Sequence, residues 1–230
     1  MRQVHRVLKK HGTFWCCIGD KYVSEIDILA KRIGFHKRSH VIWFFTFGVH
    51  QKKNFSPSHT HLLYYTRHPK TFTFNTKEIR VPSARQLIYN DKRANPDGKV
   101  PDNTWILRPQ DLGDEGFASG ADVWHVPRIN GTFKERIPGA PNQMPEQLIA
   151  RIVLACSNVG DVVLDPFAGT ATIAAVAKKL GRNYIAYEIS EKWAKIGNDR
   201  LEKIALPGFR WVGDAVAGET AHGEGDYGKV

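Results

Sequence analysis

The stretch from Gly160 to Glu188 constrains the fold more than any other. Gly160-Asp161 turns the chain into a short apolar strand pattern, Val162-Val163-Leu164, that ends on Asp165. Phe167-Ala168-Gly169-Thr170 then forms a tight loop, and Ala171 to Leu180 reads as a helix stopped by Gly181. Asn183 to Ile189 is the next strand, and Ser190-Glu191-Lys192-Trp193 opens a helix running to about Ile204. Upstream, Pro145 at a first helical turn leads into Leu148, Ile149, Ile152 and Val153, a helix expected to end near Ser157-Asn158. Two strands joined through a helix lie parallel, so the expectation is an α/β, doubly wound parallel sheet.

In such a sheet ligands bind beyond the carboxyl ends of the strands, where the following loop offers backbone N–H groups. Asp165 to Thr170 occupies that place. Gly169 permits close approach to the backbone, and Asp165 supplies a fixed acceptor. Glu188 ends the next strand 19 residues after Gly169, near the ~20 expected of an acidic residue that grips ribose hydroxyls. A ribose-bearing cofactor follows, although an ordinary α/β turn with an exposed glutamate fits the spacing too. The loop carries no GxGxxG, and no Gly-Lys-Ser/Thr follows it, which disfavours a nicotinamide enzyme and a Walker loop.

The rest of the chain is read from the N-terminus. Val7 to Gly12 is a helix end with a glycine stop, and Thr13 to Ile18 is a short strand. Ser24 is a plausible N-cap for a helix that carries Ile26, Ile28, Leu29 and Ile33 inward and closes at Gly34. His40 to Phe47 and His61 to Thr66 are strands, the first including the Trp43-Phe44-Phe45-Thr46-Phe47 run, read as buried core in preference to a base-stacking platform. From His68 to about Pro141 periodicity is weak, with a short helix expected over Ser83 to Tyr89 and a short strand over Asp122 to Val126. Residues 212–230, rich in glycine and acidic groups, are expected to form a loose tail.

A chain of 230 residues suits one main α/β core with a satellite region. No apolar run approaches the ~20 residues of a membrane span, and the basic start lacks the apolar region of a secretory signal, so a cytoplasmic protein is expected. Cys16, Cys17 and Cys156 have no CxxC spacing and are expected to be buried small apolar residues. The formal charge of +10 favours polyanionic partners. Lys52, Lys53, Arg67, Arg85, Lys92 and Arg93 are candidates to meet DNA phosphates, with a scattered solvated face as the other reading. His59 and His61, two apart with His50 and His68 nearby, are read as solvated or phosphate-contacting, and no metal is expected.

Three segments together resemble the DNA methylase N-4/N-6 family of site-specific amino-methyltransferases. They are Asn142-Gln143-Met144-Pro145-Glu146, Ser157 to Thr170, and Ala177-Lys178-Lys179-Leu180-Gly181-Arg182. Their order matches the permuted β-type arrangement, in which the catalytic segment comes first, target recognition second and the cofactor loop last. The resemblance implies a Rossmann-like, circularly permuted methyltransferase fold, S-adenosylmethionine as cofactor and double-stranded DNA as partner. It divides the chain into a part of the catalytic half (1–67), a target-recognition region (68–141), a cofactor-binding half (142–211) and a tail (212–230). Asp165, Phe167 and Gly169 would line the methionine side of the cofactor, Thr170 would support the loop, and Glu188 would bind the ribose. Asn142, Gln143 and Pro145 would pack beside the methionine end. Asp122-Val123-Trp124 and Gly131 to Arg136 resemble segments that precede that motif.

The chain departs from the family pattern twice. Ala171 stands where a second glycine is usual. The Asp/Asn/Ser-Pro-Pro-aromatic tetrapeptide that holds the target amine is absent, since no Pro-Pro occurs in the chain, and Met1 is expected to fall downstream of the catalytic strand. No catalytic residue is therefore assigned. None of the cysteines follows a proline, as carbon methylation of cytosine would need. The expected activity is methylation of the exocyclic amino group of adenine, or of cytosine, as in restriction-modification. The alternative is a catalytically inactive DNA-binding or cofactor-binding remnant.

Overall fold

A computed structural model of the chain describes residues 1–45, 51–81, 83–87, 89–105, 135–140 and 142–204. They belong to two compact units, Met1–Pro127 with Ala155–Ser157, and Arg128–Leu154 with Asn158–Val230. The expected strand at Asp122 to Val126, the segment from Gly131 to Lys134, Thr46-Phe47, His50 and the tail at 212–230 lie outside the described residues.

The first unit is built on a four-stranded sheet of β1 (Thr13–Ile18), β2 (His36–Phe44), β3 (His59–Thr66) and β4 (Thr104–Trp105), in the order β1-β3-β2-β4. Helix α2 (Val23–Ile33) carries the chain from β1 to β2, so these two run the same way. β3 inserts antiparallel between them. This sheet is thus mixed where a parallel one is expected, because β3 pairs antiparallel with both of its neighbours. β4 adds parallel to β2 through Ile42↔Thr104 and Trp43↔Trp105.

Strand alternation sorts the side chains between two faces. Phe14, Cys16, Leu63 and Tyr65 share one, where they pack with Ala30, Phe35 and residues of α2 and of helix α1 (Arg2–Val7). Trp15 and Tyr64 share the other, stacked with ring centroids 4.6 Å apart. Trp15 donates from Nε1 to Cys156 Sγ at 3.4 Å. Trp43 and Phe45 are buried, as the apolar run implied.

The α2 stripe is Val23, Ile26, Ala30 and Ile33, at helical spacing. Ile28 and Leu29, expected inward, are 52% and 40% exposed because they fall off that stripe. Ser24 is not the N-cap. The helix begins at Val23 after Tyr22, where a 3₁₀ turn over Asp20–Tyr22 already starts the winding, while Gly34 closes it at φ 107 as expected. Helix α1 ends at Val7, where Leu8 turns extended, so Gly12 is not its stop. Gly12 instead makes room, since a Cβ there would meet the Leu8 side chain at 2.7 Å. Cys17 is exposed, contrary to expectation, because it does not share the packed face of Cys16. The short helix of the irregular region, α3, spans Ala84–Leu87.

The second unit holds most of α4 (Glu146–Cys156), then β5 (Val162–Asp165), α5 (Thr172–Lys179), β6 (Asn183–Ala186) and α6 (Glu191–Glu202). β5 and β6 pair in parallel, from Val162↔Asn183 to Asp165↔Ala186, as a strand-helix-strand unit requires. β6 stops three residues short of the expected Ile189, although Tyr187 N–H still donates to the Asp165 carbonyl at 2.9 Å. The buried side of α5 is small, Ala174, Ala175, Val176 and Ala177, and lets neighbours pack close. Ala171, Ala174, Ala175 and Leu201 form the core there.

Candidate functional site

The carboxyl end of β5 places Asp165 at the base of the loop, 8% exposed. Its Oδ1 accepts the Phe167 N–H at 3.1 Å, which folds the chain back on itself after the strand. Burial pushes the Asp165 carboxyl above its ordinary range. The Phe167 N–H partly opposes that rise, and the charge of Glu188 adds to it.

Gly169 is left-handed at φ 52, with nothing within 4 Å of where a Cβ would stand. Its N–H donates to Glu188 Oε2 at 2.7 Å, while Glu188 Oε1 accepts the Ser190 N–H at 2.9 Å. The N–H groups of Ser190 and Gly169 hold the Glu188 carboxyl below its usual range. A carboxylate has about four lone-pair sites, so these donors do not exhaust its capacity to accept. The two sequence features that suggested a ribose-binding site are therefore one hydrogen-bonded object, with the Phe167 ring 88% exposed beside it.

Thr170 is buried, and its carbonyl accepts from Arg200 Nη1 at 3.0 Å. Gln143 is 6% exposed, with its amide committed locally: Oε1 accepts the Ile137 N–H at 2.8 Å and Nε2 donates to the Glu135 carbonyl at 2.6 Å. Pro145 is buried at the entry to α4, and Asn142 is exposed with φ 50.

Two supporting residues, Arg200 and Gly197, lie outside the motifs, and a third, Glu146, lies within one that gave it no role. Arg200 on α6 holds the Thr170 carbonyl and Thr172 Oγ1, and also pairs with Glu146 Oε1 at 2.6 Å. Glu146 takes Lys179 Nζ at 2.5 Å on its other oxygen. Gly197 on α6 faces Ala171, and a Cβ on it would stand 3.0 Å from the Ala171 Cβ. The only sequence signal for Gly197 is a glycine inside an otherwise continuous helix, which signals a close packing contact.

The six candidate phosphate contacts all lie in the first unit and differ in surroundings. Lys52, Lys53 and Lys92 are exposed. Arg85 and Arg93 pair with the carboxylate of Asp91 at 2.5 and 3.0 Å, and Arg67 donates to the Leu8 carbonyl.

The parallel strand–helix–strand, with Glu188 bonded to the loop, is an α/β arrangement with an acceptor at the carboxyl end of its sheet, and similarity to known proteins assigns its class. The DNA methylase family of N6- and N4-methyltransferases matches over residues 1–199, and the chain belongs to that family. It is 35% identical to the type II methyltransferase M.HpaI of Haemophilus parainfluenzae over 88% of this chain and 57% of that protein. It is also 35% identical to the DNA adenine methyltransferase YhdJ of Escherichia coli K12, over 87% of this chain and 64% of that one. The chain thus spans about three fifths of the length of these relatives. The crystal structure of M1.HpyAVI with SAM has the same fold at a TM-score of 0.60 and 18% identity, covering 87% of this chain and 79% of that one.

Proposed function

We propose that this chain belongs to a site-specific DNA methyltransferase that moves a methyl group from S-adenosylmethionine to an exocyclic amino group, of adenine in preference to cytosine. The observation that carries this reading is the bond from Gly169 N–H to Glu188, which sets a ribose acceptor beside Gly169, where the space a side chain would fill is open. The residues fit the cofactor. Glu188 has acceptor capacity for ribose hydroxyls, Gly169 leaves room for close approach, Phe167 offers an exposed ring, and Asp165 gives a second acceptor. Thr170, Asn142, Gln143 and Pro145 are assigned to shaping and backing this pocket. When bound, S-adenosylmethionine supplies an electrophilic methyl group on a sulfonium.

The name of YhdJ supports adenine as target. Residues 68–141 are assigned to target recognition, 1–67 to part of the catalytic half, 142–211 to cofactor binding and 212–230 to a tail. Lys52, Lys53, Arg67, Arg85, Lys92 and Arg93 are assigned to DNA phosphates. No helix among the described residues is long and apolar enough to cross a membrane, and a DNA substrate makes the cytoplasm the compartment of action.

Calorimetry with S-adenosylmethionine tests the cofactor reading. Saturable binding is expected, weakened roughly tenfold or more in Glu188→Ala as a charge-assisted acceptor is lost. Absence of binding by a chain that melts cooperatively would overturn it. A second reading, binding without catalysis by this chain alone, is favoured by the absence of Pro-Pro from the sequence. Transfer of labelled methyl groups to duplex DNA by the purified chain would exclude it.

A further inference from the structure

A second cluster of chemistry-bearing side chains lies in the first unit, where β1 and β2 finish and β3 begins. Asp20 follows β1, and His59 and His61 lie two apart on one face of β3. His61 Nε2 is 2.6 Å and His59 Nε2 3.1 Å from the same oxygen, Asp20 Oδ1. On its other side, His61 Nδ1 lies 2.7 Å from His40 Nε2 on β2.

We propose that Asp20, His59 and His61 bind one divalent cation of the zinc class, with His40 orienting the His61 ring. One donor atom from each of the three lies within 4.8 Å of the other two. Tetrahedral zinc with bonds of about 2.1 Å needs donors roughly 3.4 Å apart, so shifts of about 1 Å suffice. Asp20 Oδ1 already lies 2.6 and 3.1 Å from the two imidazole nitrogens, so the gap to close is the one between the histidines, and His59, 32% exposed in its side chain, has room to move. Two imidazoles and one carboxylate suit zinc, cobalt and nickel rather than magnesium or calcium.

The surroundings also suit a cation. His61 is 10% exposed in its side chain and His59 32%, which leaves the cluster closed by protein on one side and reachable on the other. A metal on His61 Nε2 places the ring proton on Nδ1, aimed at His40 Nε2, the arrangement that fixes tautomer and orientation in metal-binding histidines. Three protein ligands leave a fourth position for water or a phosphate oxygen. The sequence alone pointed away from a metal, because Asp20 is distant from the histidines along the chain and joins them only through the β1–β3 pairing.

The test is titration of the untagged chain with Co²⁺, read by its visible d–d bands, and with Zn²⁺ by calorimetry. One ion per chain is expected. His59→Ala and Asp20→Ala, both at partly exposed positions, are each expected to weaken binding roughly tenfold or more, and His40→Ala by roughly 10–100-fold. Thermal melts establish that each variant is folded. Absence of a saturable spectrum and heat in the folded chain would overturn the site and leave a hydrogen-bonded cluster only. Unchanged affinity in both His59→Ala and Asp20→Ala would equally overturn it, by placing the ion elsewhere.

Discussion

Ala171 and Gly197 are fitted to one another: the Ala171 Cβ occupies the space from which a Cβ on Gly197 would be only 3.0 Å away. Ala171 adopts φ 59 and ψ 34, a left-handed conformation that costs a residue with a Cβ about 1–2 kcal/mol. It is nevertheless 4% exposed, and its N–H donates to the Ala168 carbonyl at 2.7 Å. The methyl group where the family usually has glycine is thus accommodated by the absence of a side chain on α6.

Gly197→Ala is expected to destabilise the chain by about 1–3 kcal/mol through overpacking. In an Ala171→Gly background the same change is expected to cost less than half as much, because the opposing methyl is gone. Urea melts of the four proteins in this cycle measure the coupling. Additive costs would mean that the two positions do not meet in solution.

Asp165 is expected to limit stability for the sake of binding. Burial raises its carboxyl above the usual range, so the folded state holds the proton more tightly than the unfolded one. Stability then falls as pH rises from the unfolded pKa through the folded one, and the ionised group is a cost at neutral pH. Asp165→Asn keeps an oxygen for the Phe167 N–H and is expected to gain about 0.5–2 kcal/mol at neutral pH while weakening S-adenosylmethionine binding. The gain is expected to vanish in acid. Paired melts across pH check both signs.

Glu146 has the opposite sign. Its partial burial raises the carboxyl, but hydrogen bonds from Lys179 and Arg200 outweigh that and leave it below the usual range. Its contribution is therefore full above the unfolded carboxylate pKa, ~4.3, and is lost as pH falls through the folded value. Glu146→Gln is expected to cost about 2 kcal/mol at neutral pH, with the gap to the parent closing in acid. Chemical melts of both proteins at neutral and acid pH check it.

The basic residues are expected to separate by role. Lys52→Ala with Lys53→Ala is expected to lower the slope of log K for DNA against log salt by roughly 0.9 for each phosphate no longer neutralised, with stability within about 0.5 kcal/mol of the parent. Arg67→Ala is expected to lower the melting temperature instead, since its guanidinium holds the Leu8 carbonyl at the end of α1. Binding isotherms at several salt concentrations, beside melts, distinguish the two.

The second unit is the more legible from sequence because its signals are local. A strand ending in Asp165, a left-handed Gly169 and a helix stop at Gly181 are each set by backbone geometry within a few residues. Glu188 is found by its spacing from Gly169. Its bond to the Gly169 N–H is a tertiary fact, decided when β6 pairs with β5.

The parallel pair, the loop and the family follow from the order of residues alone, because short-range propensity and ordered motifs are written along the chain. Packing between distant segments was needed to set β3 antiparallel between β1 and β2, to open room at Gly197 for Ala171, and to bring Asp20 to His59 and His61. These depend on which remote segments meet, a choice made by burial and pairing across the whole unit that no window of sequence contains.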